Sequence, residues 1–181
     1  INQGLSAGRR ILPIIDYENK ILSNDTMPKL KLNVADIKFI NVNFSYNEDK
    51  IILNNININI EGGKINAIVG LSGAGKSTLL NLIPRIYDRS SGNIMIDGQS
   101  IYDVNLASLR NQISIVDQNT TLFDDTIFNN IIYAKPDASK EDVFEASRLS
   151  MSEDFINKLD KGFDTLVGEN GIRLSGGEKQ R

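Results

Sequence analysis

The sequence predicts an α/β fold built around a mainly parallel sheet, and three observations predict it. Short apolar runs alternate with segments of helical period, as in folds whose helices cover a parallel sheet. The run from Lys64 to Val69 is apolar at nearly every position (Ile65, Ala67, Ile68, Val69), the pattern of a strand buried on both faces. That run leads into a glycine-rich loop and then a helical segment, Ser77 to Ile83, so strand, loop and helix follow in βα order.

The elements follow in order. Residues 1 to about 20 carry Leu5, Ile11, Leu12 and Ile15 at helical spacing, with Pro13 predicted to end or kink the helix. Ser23 to Lys31 has no period and reads as a linker. In Ile56-Asn57-Ile58-Asn59-Ile60 apolar and polar residues alternate strictly, which predicts a half-buried strand. Glu61-Gly62-Gly63 is a turn before the buried strand at 64–69. Ile94 to Ile96 is a short strand closed by the Asp97-Gly98 turn signal. Ile113 to Val116 is a further apolar strand, and Ser139-Lys140-Glu141-Asp142 forms a capping box that opens a helix through about Leu149. Both ends read as cuts: Ile1 is not an initiator residue, and Arg181 falls where a helix is only just under way. The frequent Ile, Asn and Lys read as a compositional bias of the source genome.

Composition narrows the function. With 181 residues, 40% hydrophobic and 24% charged, the chain is sized for one packed domain and a short extension. A net charge of −3 gives no basic stripe, so no nucleic-acid partner is expected. There is no Cys and no His, which excludes disulfides, thiolate metal sites and His-based proton transfer within these residues. No apolar run approaches the ~20 residues of a membrane helix.

Gly70-Leu71-Ser72-Gly73-Ala74-Gly75-Lys76-Ser77 matches GxxxxGK[ST], and each position has a chemical reason. Backbone N–H groups wrap a triphosphate only where side chains do not crowd the loop, hence Gly70, Gly73 and Gly75. The following helix turns its unpaired N–H groups toward the phosphates. Lys76 brings a full positive charge to the β and γ phosphates, and Ser77 offers a hydroxyl to Mg²⁺. Thr78 adds a hydroxyl near the α-phosphate. Leu174-Ser175-Gly176-Gly177-Glu178 makes sense as a second anion site, with Ser175 capping a helix and two glycines exposing backbone N–H groups.

That second motif, about a hundred residues after the loop and followed by Lys179-Gln180-Arg181, resembles the LSGGQ signature of ATP-binding cassette proteins, with Glu178 in place of Gln. The resemblance covers most of the chain. It implies a P-loop cassette with a mainly parallel core sheet, an N-terminal antiparallel β subdomain and a helical subdomain at about 119–175. It further implies that residues 1–35 link to a membrane domain and that 36–181 are a partial nucleotide-binding domain. Tyr46 sits where the family stacks adenine. Gln118, after Ile113-Ser114-Ile115-Val116-Asp117, is similar to the Q-loop glutamine that ligates Mg²⁺ or orients water. The same run also looks like a Walker B strand, but in the family that strand follows the signature, and Gln118 stands where its catalytic Glu would be.

Ser6-Ala7-Gly8-Arg9-Arg10-Ile11, Leu106 to Gln112, Leu122 to Ile127, Asn129 to Ile131 and Gly168-Glu169-Asn170-Gly171 resemble exporter cassettes, most of all bacterial lipid-exporting half-transporters. The resemblance implies ATP and Mg²⁺ as ligands and a head-to-tail pairing with a second cassette, read as a second copy, a different half staying open. It also implies a membrane domain in the same parent chain, a place at the cytoplasmic face of the inner membrane, and export of a lipid or hydrophobic substrate. In such a pair, Ser175, Gly176, Gly177 and Glu178 close on the γ-phosphate of ATP held by the other cassette. The family's Walker B Asp, catalytic Glu, D-loop and switch His all lie past Arg181, so these residues alone are expected to bind ATP without normal hydrolysis. The rival readings are a cassette ATPase without a membrane part, another P-loop enzyme such as a kinase or GTPase, and a non-hydrolysing nucleotide-binding module. A GTPase reading lacks its base-reading NKxD-type motif.

Overall fold

Strand β1 (Ile37–Ser45) lies between β2 (Ile51–Ile60) and β3 (Ser91–Ile96), and the short β4 (Gln99–Ser100) completes a sheet of order β2-β1-β3-β4. All of its pairings are antiparallel. The computed structural model describes residues 2–15, 21, 25–47, 50–118 and 120–181. They divide into two compact units, Ile1–Ser114 and Ile115–Arg181.

The register of the sheet is set by asparagines. Asn41 and Asn55 both adopt left-handed backbone (φ 48° and 49°), a region Asn enters more readily than most residues. The Asn41 N–H donates to Asn57 Oδ1 (2.9 Å), and the Asn55 N–H donates to Asn43 Oδ1 (2.7 Å). The β1–β2 register shifts around them. At β1 the buried residues are therefore Phe39, Val42 and Phe44, spaced three and then two apart, as a bulge requires. The abundant Asn thus has a local structural use here besides any compositional bias.

The Asp97-Gly98 turn has positive φ at both residues (48° and 77°), the type I′ hairpin geometry that joins β3 to β4. Its Asp97 carboxylate does more than turn the chain. It accepts N–H groups from Asn33 (2.6 Å), Ala35 (3.0 Å) and Asp36 (3.0 Å), and these bonds, Asn33's first, hold it below its ordinary pKa. Residues 28–31, within the expected linker stretch, are also tied down. The Leu30 N–H donates to Ser108 Oγ (2.9 Å), and the Asn105 N–H donates to the Pro28 carbonyl (2.8 Å).

Helix α1 (Asn2–Ile15) runs through Pro13 for two further residues, where the sequence suggested an end or kink. Proline removes one hydrogen bond there, close enough to the end that the last turn survives. Helix α2 (Lys76–Leu82) follows the glycine loop, and α3 (Leu106–Arg110) follows β4. The sheet, α2 and α3 bury one cluster that includes Phe39, Val42, Leu79, Leu82, Ile94 and Leu109.

The second unit holds α4 (Ile127–Ile132), α5 (Lys140–Leu149), α6 (Glu153–Ile156) and α7 (Gly176–Gln180). Its core is Ile127, Ile156 and Val167, with Leu122, Phe155 and Leu174 packed against them. The predicted capping box at Ser139 is present in both directions, with the Ser139 N–H donating to Asp142 (3.0 Å) and the Asp142 N–H to Ser139 Oγ (3.1 Å).

One expectation is corrected. The fold class is α/β, but the parallel portion of the sheet is not formed among the described residues. The stretches 64–69 and 113–116 are not strands, and Ile65 (103% exposed) and Val69 (88%) stand in solvent. A strand is made by ladder partners as much as by apolarity, and neither stretch has one here. Ile68 and Ile113 still turn into the core of the first unit.

Candidate functional site

Gly73 and Gly75 place the loop between Gly70 and Lys76 in left-handed backbone (φ 79° and 86°), which side chains strongly disfavour. Gly75 also has no space for one: a Cβ there would lie 2.8 Å from Leu53 Cδ2. The loop thus sits hard against β2, just before α2 begins. Gly70 has no such backbone requirement, and its Cβ position would meet Ala74 at an ordinary 3.7 Å. As the N-cap of α2, Gly75 supplies no side-chain oxygen, so the first N–H groups of the helix are left to other acceptors.

Lys76 Nζ donates to the carbonyls of Gly70 (3.0 Å) and Leu71 (2.7 Å), which holds a positive charge at the start of the loop. Ser77 is exposed and its hydroxyl has no protein partner among the described residues. Thr78 is buried, and its Oγ1 lies 2.9 Å from Tyr46 Oη. Tyr46, the predicted base-stacking residue, is therefore brought against the first turn of α2, just after the phosphate loop. Leu71, Ser72 and Ala74 complete the loop, with the Ala74 N–H donating to the Leu71 carbonyl (3.2 Å).

In the second unit, Ser175 caps α7 as predicted, and its bond is reciprocated. The Glu178 N–H donates to Ser175 Oγ (3.4 Å), and the Ser175 N–H donates to Glu178 Oε2 (2.7 Å). That backbone bond is the main reason the Glu178 carboxyl lies below its ordinary pKa. Glu178 thus serves its own helix start, while the Cβ positions of Gly176 and Gly177 face open space within 4 Å. Gln118 is exposed, and its carbonyl and that of Asp117 accept weakly from Gln180 Nε2 (3.5 and 3.4 Å). Gln118, Thr120, Asn170, Gly176 and Lys179 line one cavity of about 290 Å³.

Sequence reasoning missed three contacts. Lys179 Nζ donates to the Asn170 carbonyl (2.7 Å), fastening the 168–171 loop to α7. Tyr46 packs on Phe44 and Tyr87 as well as on Thr78. The Asp97 carboxylate gathers the 33–36 backbone. Only the last had a signal, an Asp in a hairpin turn; the first two join residues whose sequence spacing says nothing of proximity.

A glycine loop seated against a strand, a helix start left uncapped and a lysine charge held beside it define a P-loop domain. Residues 53–181 match the family model described as ABC transporter, and the chain belongs to that family. It is 46% identical over 181 residues to the ATP-dependent lipid A-core flippase of Syntrophus aciditrophicus, covering 100% of this chain and 30% of that protein. With the lipid A-core flippase of Escherichia coli strain K12 it shares 44% identity, over 99% of this chain and 31% of that protein. A bacterial Atm1-family ABC exporter, solved with ATP bound, superposes with a TM-score of 0.90 at 42% identity, over 99% of this chain and 31% of that chain. The chain thus spans under a third of the length of these relatives.

Proposed function

We propose that this chain is the ATP-binding part of an exporter that couples ATP binding and hydrolysis to movement of a lipid or other hydrophobic substrate across a membrane. The observation that carries the reading is its 46% identity, along its whole length, to a lipid A-core flippase. In that reading residues 36–181 belong to the cassette, about 119–175 to its helical part, and 1–35 connect to a membrane domain of the same parent chain. The cassette pairs head to tail with a second copy at the cytoplasmic face of the inner membrane. No helix among the described residues is long and apolar enough to cross a membrane.

The roles follow from chemistry. The N–H groups of the 70–78 loop and of the α2 start receive the phosphate oxygens. Lys76 trades its two carbonyl partners for the β and γ phosphates. Ser77 fits Mg²⁺, which prefers hard oxygen donors, because its hydroxyl is exposed and unengaged among the described residues. Gln118 is proposed as a further ligand through its side-chain oxygen. Mg²⁺, when bound, neutralises charge on the β and γ phosphates. Gly176 and Gly177 leave backbone N–H groups open to the nucleotide of the partner cassette, and the Ser175–Glu178 box holds that helix start in shape.

Calorimetric titration with MgATP tests the binding step. Lys76→Ala is expected to weaken ATP about ten- to a hundredfold, the loss of a charged hydrogen-bond donor. The 181 residues alone are expected to bind ATP without turning it over. Turnover at a rate comparable with intact exporters, abolished by Lys76→Ala, would overturn that second expectation.

A further inference from the structure

We infer that Tyr87 is a positioning residue for base recognition: it backs the Tyr46 ring and fixes the surface on which a purine base stacks. The inference rests on the nucleotide reading of Tyr46 given above. Tyr46 stands at the end of β1 and is still 50% exposed, so half of its surface is open to a ligand. The remainder is gripped at three places. Its hydroxyl meets Thr78 Oγ1 at 2.9 Å. Its ring meets Phe44 at 4.8 Å between centroids and Tyr87 at 5.1 Å, with interplanar angles of 87° and 86°. Phe44 and Tyr87 touch each other in turn, at 5.8 Å. Perpendicular contacts of this kind are favourable pairings of ring edge and ring face, and two of them restrict the tilt of Tyr46 more than either does alone.

The Tyr87 side chain is 40% exposed, but the backbone that carries it is held fast. It lies between Arg85 and Asp88, which form a two-toothed ion pair (Nε to Oδ1 2.8 Å, Nη2 to Oδ2 2.9 Å). Arg85 is buried and sits in left-handed backbone (φ 54°). Its carbonyl accepts from Arg110 Nη2 at 2.6 Å. A non-glycine residue in that conformation is retained only where its surroundings determine it, and here they do. The support for Tyr46 therefore comes from the connection that follows α2, the same helix that starts at the phosphate loop. A base and a triphosphate bound together would be read by groups at the two ends of α2, the phosphate loop before it and the connection after it.

Prior ordering of a stacking surface lowers the cost of binding a base and leaves phosphate contacts untouched. The test exploits that difference. Calorimetry on the full chain compares MgATP with inorganic tripolyphosphate, which has no base. Tyr46→Ala is expected to weaken ATP roughly tenfold or more, the loss of base stacking, and to leave tripolyphosphate unchanged. Tyr87→Ala is expected to weaken ATP about three- to tenfold, again without change for tripolyphosphate, and Tyr87→Phe is expected to restore it. If Tyr87→Ala weakens both ligands equally, or neither, while Tyr46→Ala lowers ATP alone, Tyr87 is structural or idle and the inference fails. If Tyr46→Ala leaves the preference for ATP intact, the base-stacking reading of Tyr46 fails and the inference falls with it.

Discussion

Among the described residues, fourteen hydrophobic side chains of the first unit join one buried cluster; in the second, the main cluster has three. The second unit compensates with hydrogen bonds at chain turns. Thr126, Ser139 and Ser175 each cap a helix through their side chains, and two of these caps are reciprocal boxes. Asp125 accepts from the Thr126 N–H (2.6 Å) and from Asn129 Nδ2 (2.8 Å). Asn130 bridges the Phe123 backbone in both directions. The first unit thus rests more on removing apolar surface from water, the second more on short-range bonds that organise each turn locally. A phosphate loop that must not yield sits on the first kind of support. The signature, which in the proposed function must meet and leave a partner's nucleotide, sits on the second, where local opening is easier.

Core truncation gives the largest expected effect. Leu82→Ala and Ile156→Ala remove fully buried side chains, one from each unit. Both belong to a class that costs about 2–5 kcal/mol. Leu82 is expected near the top of that range, because its neighbours are themselves buried, and Ile156 near the bottom, because partly exposed neighbours can close on the cavity. Urea unfolding of the two variants reads the difference, and equal losses would break the comparison. Next comes the cap: Ser139→Ala is expected to cost about 1 kcal/mol and to raise hydrogen exchange in α5 while leaving α2 unchanged. An equal rise in both helices would mean that the units open together.

The smallest effect concerns acid. The Asp97 carboxyl is lowered in the fold, first by the Asn33 N–H and then by those of Ala35 and Asp36. A lowered carboxylate contributes its full stability above its unfolded pKa and loses it as pH falls through the folded one. Asp97→Asn is therefore expected to lower the unfolding midpoint slightly at neutral pH, and the gap from the parent is expected to shrink below roughly pH 4. A gap that persists in strong acid would assign the effect to shape, not charge.

Much of the site was legible because its chemistry forces a local pattern. The loop at 70–77, helix α2 within a residue at each end, the Asp97-Gly98 turn and both serine caps all follow from short-range rules. Strand β1 was not legible as a strand. Asn41 shifts the side-chain alternation in its middle, so Phe39, Val42 and Phe44 do not fall two apart throughout. The runs at 64–69 and 113–116 were legible as apolar, but ladder partners are a long-range matter and the local sequence does not contain them. The Tyr46–Tyr87 contact joins residues 41 positions apart, and no periodicity links them.

The unpaired stretch after Lys64 has a practical consequence. From Ile65 to Gly75 the chain carries no charge, and Ile65, Val69 and Leu71 face water. An apolar, uncharged run without ladder partners, as at 65–69, is a template for the same segment of another molecule. At the bench, self-association of these 181 residues is expected to rise with concentration, which light scattering on a dilution series reads.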